Sequence, residues 1–196
     1  MIRECSCPEQ HACIQEMKKQ IDGCFDECYP LATTGKIHVK SPQSLKACFQ
    51  NKHSIANSML DCMENSVHSC VNNMNGKKIE YTDINVFLDK SDAALHKQAK
   101  LIMKTLGKSH DGLIDVALDV GGCMKTCFKK KNVKGYCFDR KGCQSLIDTK
   151  DASKGLQKCL KAIGWKKHAQ DICSCTIKAG VIEMEPYCSI LNTTPH

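Results

Sequence analysis

The sequence predicts an all-α, disulfide-rich helical bundle in which two pseudo-repeated halves are joined by a central amphipathic helix. Three observations lead to this prediction. The 196 residues include 16 cysteines, which form two groups of eight on either side of a cysteine-free stretch of 52 residues. Apolar residues recur at helical spacing in both groups. Strand signals are confined to residues 36–39 and 181–184, which are too short to build a sheet.

The first predicted half covers residues 1–76 and contains two helices. The first of these has apolar residues at helical spacing and ends in a C-x3-C pair, Cys24 and Cys28. The second begins where Ser41 can cap a helix whose first residue is Pro42. Its cysteines, Cys48 and Cys62, have thirteen residues between them.

The pattern of residues 77–110, the central segment, predicts one amphipathic helix. Thr82 or Asp83 can cap its beginning, and Gly107 is a plausible stop. Seven apolar residues form a roughly helical stripe along it: Ile84, Phe87, Leu88, Leu95, Leu101, Ile102 and Leu106.

The second predicted half covers residues 111–190 and is followed by a tail, residues 191–196. Its first helix ends in the C-x3-C pair Cys123 and Cys127, and Cys159 and Cys173 again have thirteen residues between them. The connector between its helices is twelve residues longer than that of the first half. A local bridge between Cys137 and Cys143 is one way to constrain it.

The cysteine pattern favours disulfides over zinc. The count is even, the residues are dispersed, and no C-x2-C pair occurs. The sequon at Asn192 also fits a secretory pathway and predicts a glycosylation site. All sixteen residues are disulfide candidates: Cys5, Cys7, Cys13, Cys24, Cys28, Cys48, Cys62, Cys70, Cys123, Cys127, Cys137, Cys143, Cys159, Cys173, Cys175 and Cys188. Eight bridges, each contributing roughly 2 to 4 kcal/mol, would compensate for a core in which aromatic residues are only 5% of the chain.

We therefore expect a secreted, soluble, extracellular protein. Disulfides persist in oxidising compartments, and no apolar run is long enough for a transmembrane helix. The first ten residues have no apolar region of the signal-peptide kind, so the chain is expected to be a mature segment.

Helix geometry leads to three predicted disulfide pairs. Cys13 and Cys28 would lie about 22 Å apart along one helix, and Cys48 and Cys62 about 21 Å apart along the next. Two antiparallel helices within one half could then be joined at both ends. The predicted pairs are Cys28–Cys48, Cys13–Cys62 and, in the second half, Cys127–Cys159.

Catalysis, a metal site and a cofactor are not predicted. The sequence contains no nucleophile elbow, zinc-protease motif, phosphate-binding loop or dinucleotide fingerprint. His110 and Asp111 are adjacent, but an aspartate at the start of a predicted helix is explained by the helix dipole. Nucleic acid is not expected as a partner, because no series of aromatic residues is available for stacking.

A basic run in the second half is the candidate surface for an anionic partner. It consists of Lys129, Lys130, Lys131, Lys134, Arg140 and Lys141. Such a patch would attract a sulfated glycosaminoglycan or an anionic membrane surface. The alternative interpretation is a solvated loop that keeps a thin-cored protein soluble.

A hydrophobic ligand is a further interpretation. Helical bundles can hold lipid between amphipathic helices, and methionine side chains adapt to irregular cavities. The candidate cavity residues are Met17, Met59, Met63, Met74, Met103 and Met124, although methionines at helical spacing are also ordinary core residues.

Four segments resemble those of cysteine-rich secreted proteins of nematodes, including the chondroitin proteoglycan 4 type domains. They are CSCPEQHAC, LKACF, CMKTCFKKKNVKGYCFDRKGC and DICSCTIKAGV. The resemblance implies a disulfide-bonded helical body without catalytic activity and a role in extracellular matrix or host contact. The chain departs from it in having no Ser-Gly dipeptide for chondroitin attachment. The cysteine arrangement is also similar to the helical domains of the GDNF receptor α family.

The sequence thus predicts a secreted, non-enzymatic binding protein. Rigid disulfide-linked helices would present a fixed surface to an extracellular protein or matrix partner, which could belong to a host. The alternative is an extracellular carrier that holds a lipid or other hydrophobic ligand in a helical cavity.

Overall fold

The computed structural model describes residues 1–50, 53–66, 69–106, 111–146 and 149–193. It confirms the disulfide-rich helical fold. The helices are α1 (Cys7–Cys28), α2 (Pro42–Gln50), α3 (His53–Ser66), α4 (Ile84–Leu106), α5 (Asp111–Lys131), α6 (Cys137–Lys141), α7 (Thr149–Ala162), α8 (Trp165–Lys178) and α9 (Glu185–Thr193). Short 3₁₀ helices lie at Tyr29–Thr33 and Ile182–Met184.

Helix α1 begins with a capping box. The backbone N–H of Glu9 donates to the Ser6 hydroxyl, and the backbone N–H of Ser6 donates to the Glu9 carboxylate at 2.9 Å. Arg3 donates to both Glu9 oxygens, at 2.8 and 3.0 Å. Together with hydrogen bonds from Ser6, the Arg3 guanidinium lowers the pKa of Glu9 to about 2. These contacts fix the first turn of α1.

Helix α4 confirms the predicted central helix. The backbone N–H of Asn85 donates to the Asp83 carboxylate at 2.8 Å, so Asp83 is the cap. The helix lies along α5, where Lys125 contacts Asp92 at 2.7 Å and Lys129 contacts Asp89 at 2.8 Å. The predicted stop, Gly107, lies outside the described residues, as do the side chains of Phe87, Leu95, Ile102 and Leu106.

Helices α2 and α3 lie where the second helix of the first half is predicted, and residues 51 and 52 between them are outside the described residues. The predicted second helix of the second half is divided into α7 and α8. Between α7 and α8, Gly164 has a φ of +62°, in the left-handed region that favours glycine and ends a helix.

The N-terminal residues form the central strand of a small three-stranded sheet. Strand β1 (Ile2–Glu4) pairs antiparallel with β2 (Lys78–Ile79) and parallel with β3 (Cys143–Gln144). The strand signals at residues 36–39 and 181–184 do not form strands. The sheet places Cys5 next to Cys143, with which it forms a disulfide.

All sixteen cysteines are paired, but the pairs differ from those predicted. The bridges are Cys5–Cys143, Cys7–Cys70, Cys13–Cys137, Cys24–Cys127, Cys28–Cys123, Cys48–Cys175, Cys62–Cys159 and Cys173–Cys188. The predicted pairs Cys28–Cys48, Cys13–Cys62 and Cys127–Cys159 are therefore wrong, as is a local bridge between Cys137 and Cys143.

The reason for the error is that helices of one predicted half pack against helices of the other. Helix α1 contacts α5, α2 contacts α8, and α3 contacts α7. Six of the eight bridges cross between the halves, and only Cys7–Cys70 and Cys173–Cys188 do not. Spacing along a helix is the same whichever helix lies opposite, so it could not identify the partner.

The contact between α1 and α5 is reciprocal. Cys24 and Cys28 hold the positions in α1 that Cys123 and Cys127 hold in α5, and the bridges join Cys24 to Cys127 and Cys28 to Cys123. The two helices are therefore antiparallel, as in an isologous contact about a two-fold axis. The internal repeat and the domain boundaries at residues 76, 110 and 190 stay predictions.

Candidate functional site

An apolar pocket of about 270 Å³ lies where one end of the α1–α5 pair meets α2 and α8. Of the thirteen lining residues that the structure describes, only Tyr29 and Thr176 carry a polar side-chain group. The lining consists of Phe25, Tyr29, Ala32, Ile37, Leu45, Phe49, Leu113, Val116, Ala117, Val120, Thr176, Val181 and Met184. Leu45 and Val181 belong to the buried core, whereas Phe49 is 36% exposed. The pocket thus reaches from the core to the surface.

Two disulfides join the helices that form the pocket walls. Cys28 lies between Phe25 and Tyr29 in the sequence and is bonded to Cys123 of α5. Cys48 precedes Phe49 and is bonded to Cys175, which precedes Thr176. The helices that form the pocket walls are therefore covalently linked to one another.

Both polar groups of the lining are already hydrogen bonded within the protein. The Tyr29 hydroxyl donates to the backbone carbonyl of Pro42 at 2.6 Å, and the Thr176 hydroxyl donates to the carbonyl of Ile172 at 2.8 Å. Burial raises the pKa of Tyr29, so its hydroxyl keeps its proton at neutral pH. The pocket therefore offers a ligand apolar contact and neither a charge nor a free donor.

Two glycines allow the close backbone approaches that shape this end of the molecule. A Cβ atom on Gly112 would lie 2.7 Å from the carbonyl oxygen of Lys36, beside the lining residue Ile37. Gly180 has a φ of +97°, and a Cβ atom there would clash with Lys40. Glycine is required at both positions, because a side chain would push apart the segments that carry Ile37 and Val181.

The same helix pair is filled at its other end. The apolar strip that lines the pocket continues along α1 as Met17 and Ile21 and along α5 as Met124 and Phe128. At that end Ile84 and Leu88 of α4 pack against the strip, together with Tyr136. The residues that follow the two α1 cysteines, Phe25 and Tyr29, correspond to those that follow the two α5 cysteines, Met124 and Phe128. Helix α4 packs against Met124 and Phe128, whereas the pocket lies against Phe25 and Tyr29.

The structure places all six residues of the predicted basic patch near the C-terminal end of α5. Two of them, Lys129 and Arg140, form ion pairs with carboxylates. Lys129 pairs with Asp89, and Arg140 donates to both oxygens of Glu16 at 2.7 Å. In the described part of the chain no ion pair is found for Lys130, Lys131, Lys134 or Lys141, all of which are exposed. The patch is also not a loop, since the first three lysines form the last turn of α5 and the last two residues belong to α6.

Other predicted residues fall away from the pocket. Met17, Met59, Met63, Met74 and Met124 do not line it, and the side chain of Met103 lies outside those that the structure describes, whereas Met184 does line it. Asn192 lies in α9, and its side chain is outside those that the structure describes. Within the described ranges, no group of three histidine, cysteine, aspartate or glutamate residues could hold a metal ion, and no helix is long and apolar enough to cross a membrane.

The pocket was missed because its lining is assembled from six separate segments. Leu113, Val116 and Val120 were recognisable from their helical spacing, but that spacing indicates a buried face and not an empty one. The only local signals were Gly112 and Gly180, whose meaning depends on Lys36 and Lys40 lying opposite.

Comparisons with protein-family models, with curated proteins and with solved structures find no match to this chain. The resemblance to nematode cysteine-rich secreted proteins therefore stays a prediction. The pocket and the basic surface carry the functional argument.

Proposed function

We propose that this protein is a secreted, non-enzymatic binding protein that holds a small hydrophobic ligand in the apolar pocket. The observation that carries the proposal is the cross-linked pocket itself, whose two polar groups are both bonded to backbone carbonyls. An apolar cavity of about 150 Å³ stays dry and can bind benzene. A pocket of about 270 Å³ suits an uncharged ligand larger than a single ring, such as a short lipid chain or a terpene.

Secretion is supported by the eight disulfides. Such bridges form in oxidising compartments, and glutathione keeps thiols reduced in the cytosol. Thiol titration of protein isolated from its own source should find no free thiol. A large fraction of free thiols would contradict an extracellular location.

Binding can be measured with N-phenyl-1-naphthylamine, an uncharged fluorescent probe of apolar sites. We expect the native protein to bind the probe and Ala117→Phe to weaken binding at least about tenfold, because the new ring occupies the pocket mouth. Ala94→Phe on the exposed face of α4 is the matched control and should bind as the native protein does. Failure of the native protein to bind, or equal binding by Ala117→Phe, would reject the proposal.

The ligand can be sought by native mass spectrometry of protein from its own source. A co-purifying mass that is released on denaturation and absent from Ala117→Phe supports a carrier. The broader proposal, a rigid helical surface for an extracellular protein or matrix partner, is supported by the bridges that cross between the halves. It becomes the better interpretation if neither ligand nor probe binds.

A further inference from the structure

A second feature, independent of the pocket, lies where α5 ends. Three exposed lysines, Lys130, Lys131 and Lys134, flank Val133, which is 82% exposed. We call these four residues the basic tip. Among the described large apolar residues, Met1 is as exposed as Val133, and all the others are less exposed.

The basic tip is held rigidly. Asn132 is buried at its base and exchanges side-chain amide hydrogen bonds with Gln20, at 2.7 and 3.3 Å. Its amide also donates to the carbonyl of Phe128 at 2.8 Å, which caps the end of α5. Val133 therefore projects from a turn whose base is fixed to α1.

The chain that leaves the basic tip is fixed as well. The backbone N–H of Gly135 donates to the carbonyl of Asn132 at 2.9 Å, and the Arg140 guanidinium donates to the carbonyl of Gly135 at 2.6 Å. Disulfides anchor both sides of the turn to α1, through Cys127 and Cys137. A partner that meets the basic tip would not have to order it, which lowers the cost of binding.

The charge around the basic tip is positive. The nearby carboxylates of Glu16 and Asp89 are paired with Arg140 and Lys129, and Asp139 accepts hydrogen bonds from Tyr136 and Tyr81. Lys19 adds a further exposed cation on the face of α1 that carries Glu16 and Gln20. An anionic surface is the complementary partner.

We propose that the basic tip docks the protein on an anionic lipid surface, with Val133 entering the interface and the lysines contacting lipid headgroups. A sulfated polysaccharide would pair with the lysines but would leave the side chain of Val133 in water. A bilayer satisfies both, because its anionic headgroups lie beside an apolar phase.

The test is sedimentation with phosphatidylcholine vesicles prepared with and without phosphatidylserine. We expect binding that requires phosphatidylserine and weakens with added salt. The triple variant Lys130→Ala, Lys131→Ala, Lys134→Ala should lose about 100-fold in affinity, or about fivefold per lysine. Val133→Ser should lose about fivefold, since it removes an inserted side chain and no charge.

A second triple variant, with the same net charge as the basic-tip triple variant, is the matched control. Lys154, Lys158 and Lys161 are exposed on α7, and their replacement by alanine should leave vesicle binding unchanged. The proposal is overturned if the native protein does not bind the anionic vesicles or if the basic-tip triple variant binds as the native protein does. It is also overturned if Val133→Ser changes nothing while heparin retention depends on the three lysines, because the site would then recognise a polysaccharide.

Discussion

The two ends of the α1–α5 pair have nearly the same apolar strip but different surroundings. At one end Ile84 and Leu88 of α4 cover Met124 and Phe128. At the other end Phe25 and Tyr29 face a pocket of about 270 Å³. The same kind of apolar surface is thus buried at one end and lines a pocket at the other. The difference is that α4 packs against the filled end.

Disulfides cross-link both ends. At the filled end Cys24–Cys127 and Cys13–Cys137 lie beside Phe128 and Tyr136, which are buried there against the side chains of α4. At the open end Cys28–Cys123 and Cys48–Cys175 join the helices around the pocket. The bridges alone therefore do not distinguish the two ends, and the difference is that α4 packs against the filled end.

The largest effect is expected from removing a bridge at the open end. Cys48→Ala with Cys175→Ala should lower the free energy of unfolding by about 4 kcal/mol, because with Cys62–Cys159 intact the bridge closes a loop of roughly 30 residues and so restricts the unfolded chain. Probe binding should fall as well, since the pocket walls are no longer tied. The measurement is urea denaturation followed by helical circular dichroism.

The control for that variant is Cys7→Ala with Cys70→Ala, whose bridge lies at the first turn of α1, at the opposite end of that helix from Phe25 and Tyr29. It should cost about 2 to 4 kcal/mol, and it should leave probe binding intact. An unchanged unfolding free energy in the Cys48/Cys175 variant would contradict the role of the bridge.

A smaller effect is expected from removing one ring at each end. Phe128→Ala at the filled end should cost about 3 to 4 kcal/mol, because Phe128 is 8% exposed and its removal leaves a cavity. Phe49→Ala at the open end should cost about 1 kcal/mol, because that ring is 36% exposed and already borders open volume. Thermal and urea denaturation of both variants would measure the difference. Equal losses would mean that the ends are packed alike.

The smallest effect concerns the beginning of α1, which leads into the filled end. Glu9→Gln should cost about 1 kcal/mol at neutral pH, because it removes the charge that Arg3 contacts at 2.8 Å. The pKa of Glu9 is lowered from its ordinary 4.5 to about 2, so its contribution is complete above the ordinary pKa and is lost as the pH falls towards 2.

Urea denaturation of the native protein and Glu9→Gln at several pH values tests this contribution. The two unfolding free energies should differ at neutral pH and converge near pH 2. A difference that persists at pH 2 would show that the carboxylate charge is not its source.

The local features of the fold were predictable from short stretches of sequence. Ser41 before Pro42 and Asp83 before Ile84 mark the beginnings of α2 and α4, and in the structure each side chain accepts a hydrogen bond from the first turn of its helix. Such signals depend on residues within one turn of each other. The break between α7 and α8 was missed, although Gly164 marks it, because an isolated glycine is tolerated within helices.

The candidate sites were predictable only in part. The basic run was visible in the sequence, but the pairing of Lys129 with Asp89 and of Arg140 with Glu16 was not, since these residues are far apart along the chain. Val133 drew no attention, because a single valine among lysines has no periodic pattern. Its importance follows from its exposure, which depends on the turn fixed by Asn132.

The sequence by itself determined that this protein is helical, where α2 and α4 begin, and that disulfides take part in holding the helices together. The helices and their beginnings follow from periodicity and capping, which depend on residues close together in the sequence. The disulfide-rich character follows from composition, which does not depend on the order of the residues. Only the tertiary structure decided that α1 lies against α5 and Cys28 bonds to Cys123, and hence that one end of the pair stays open. The physical reason is that an apolar helix face can pack against any complementary face, so the choice among partners is made by the assembled core.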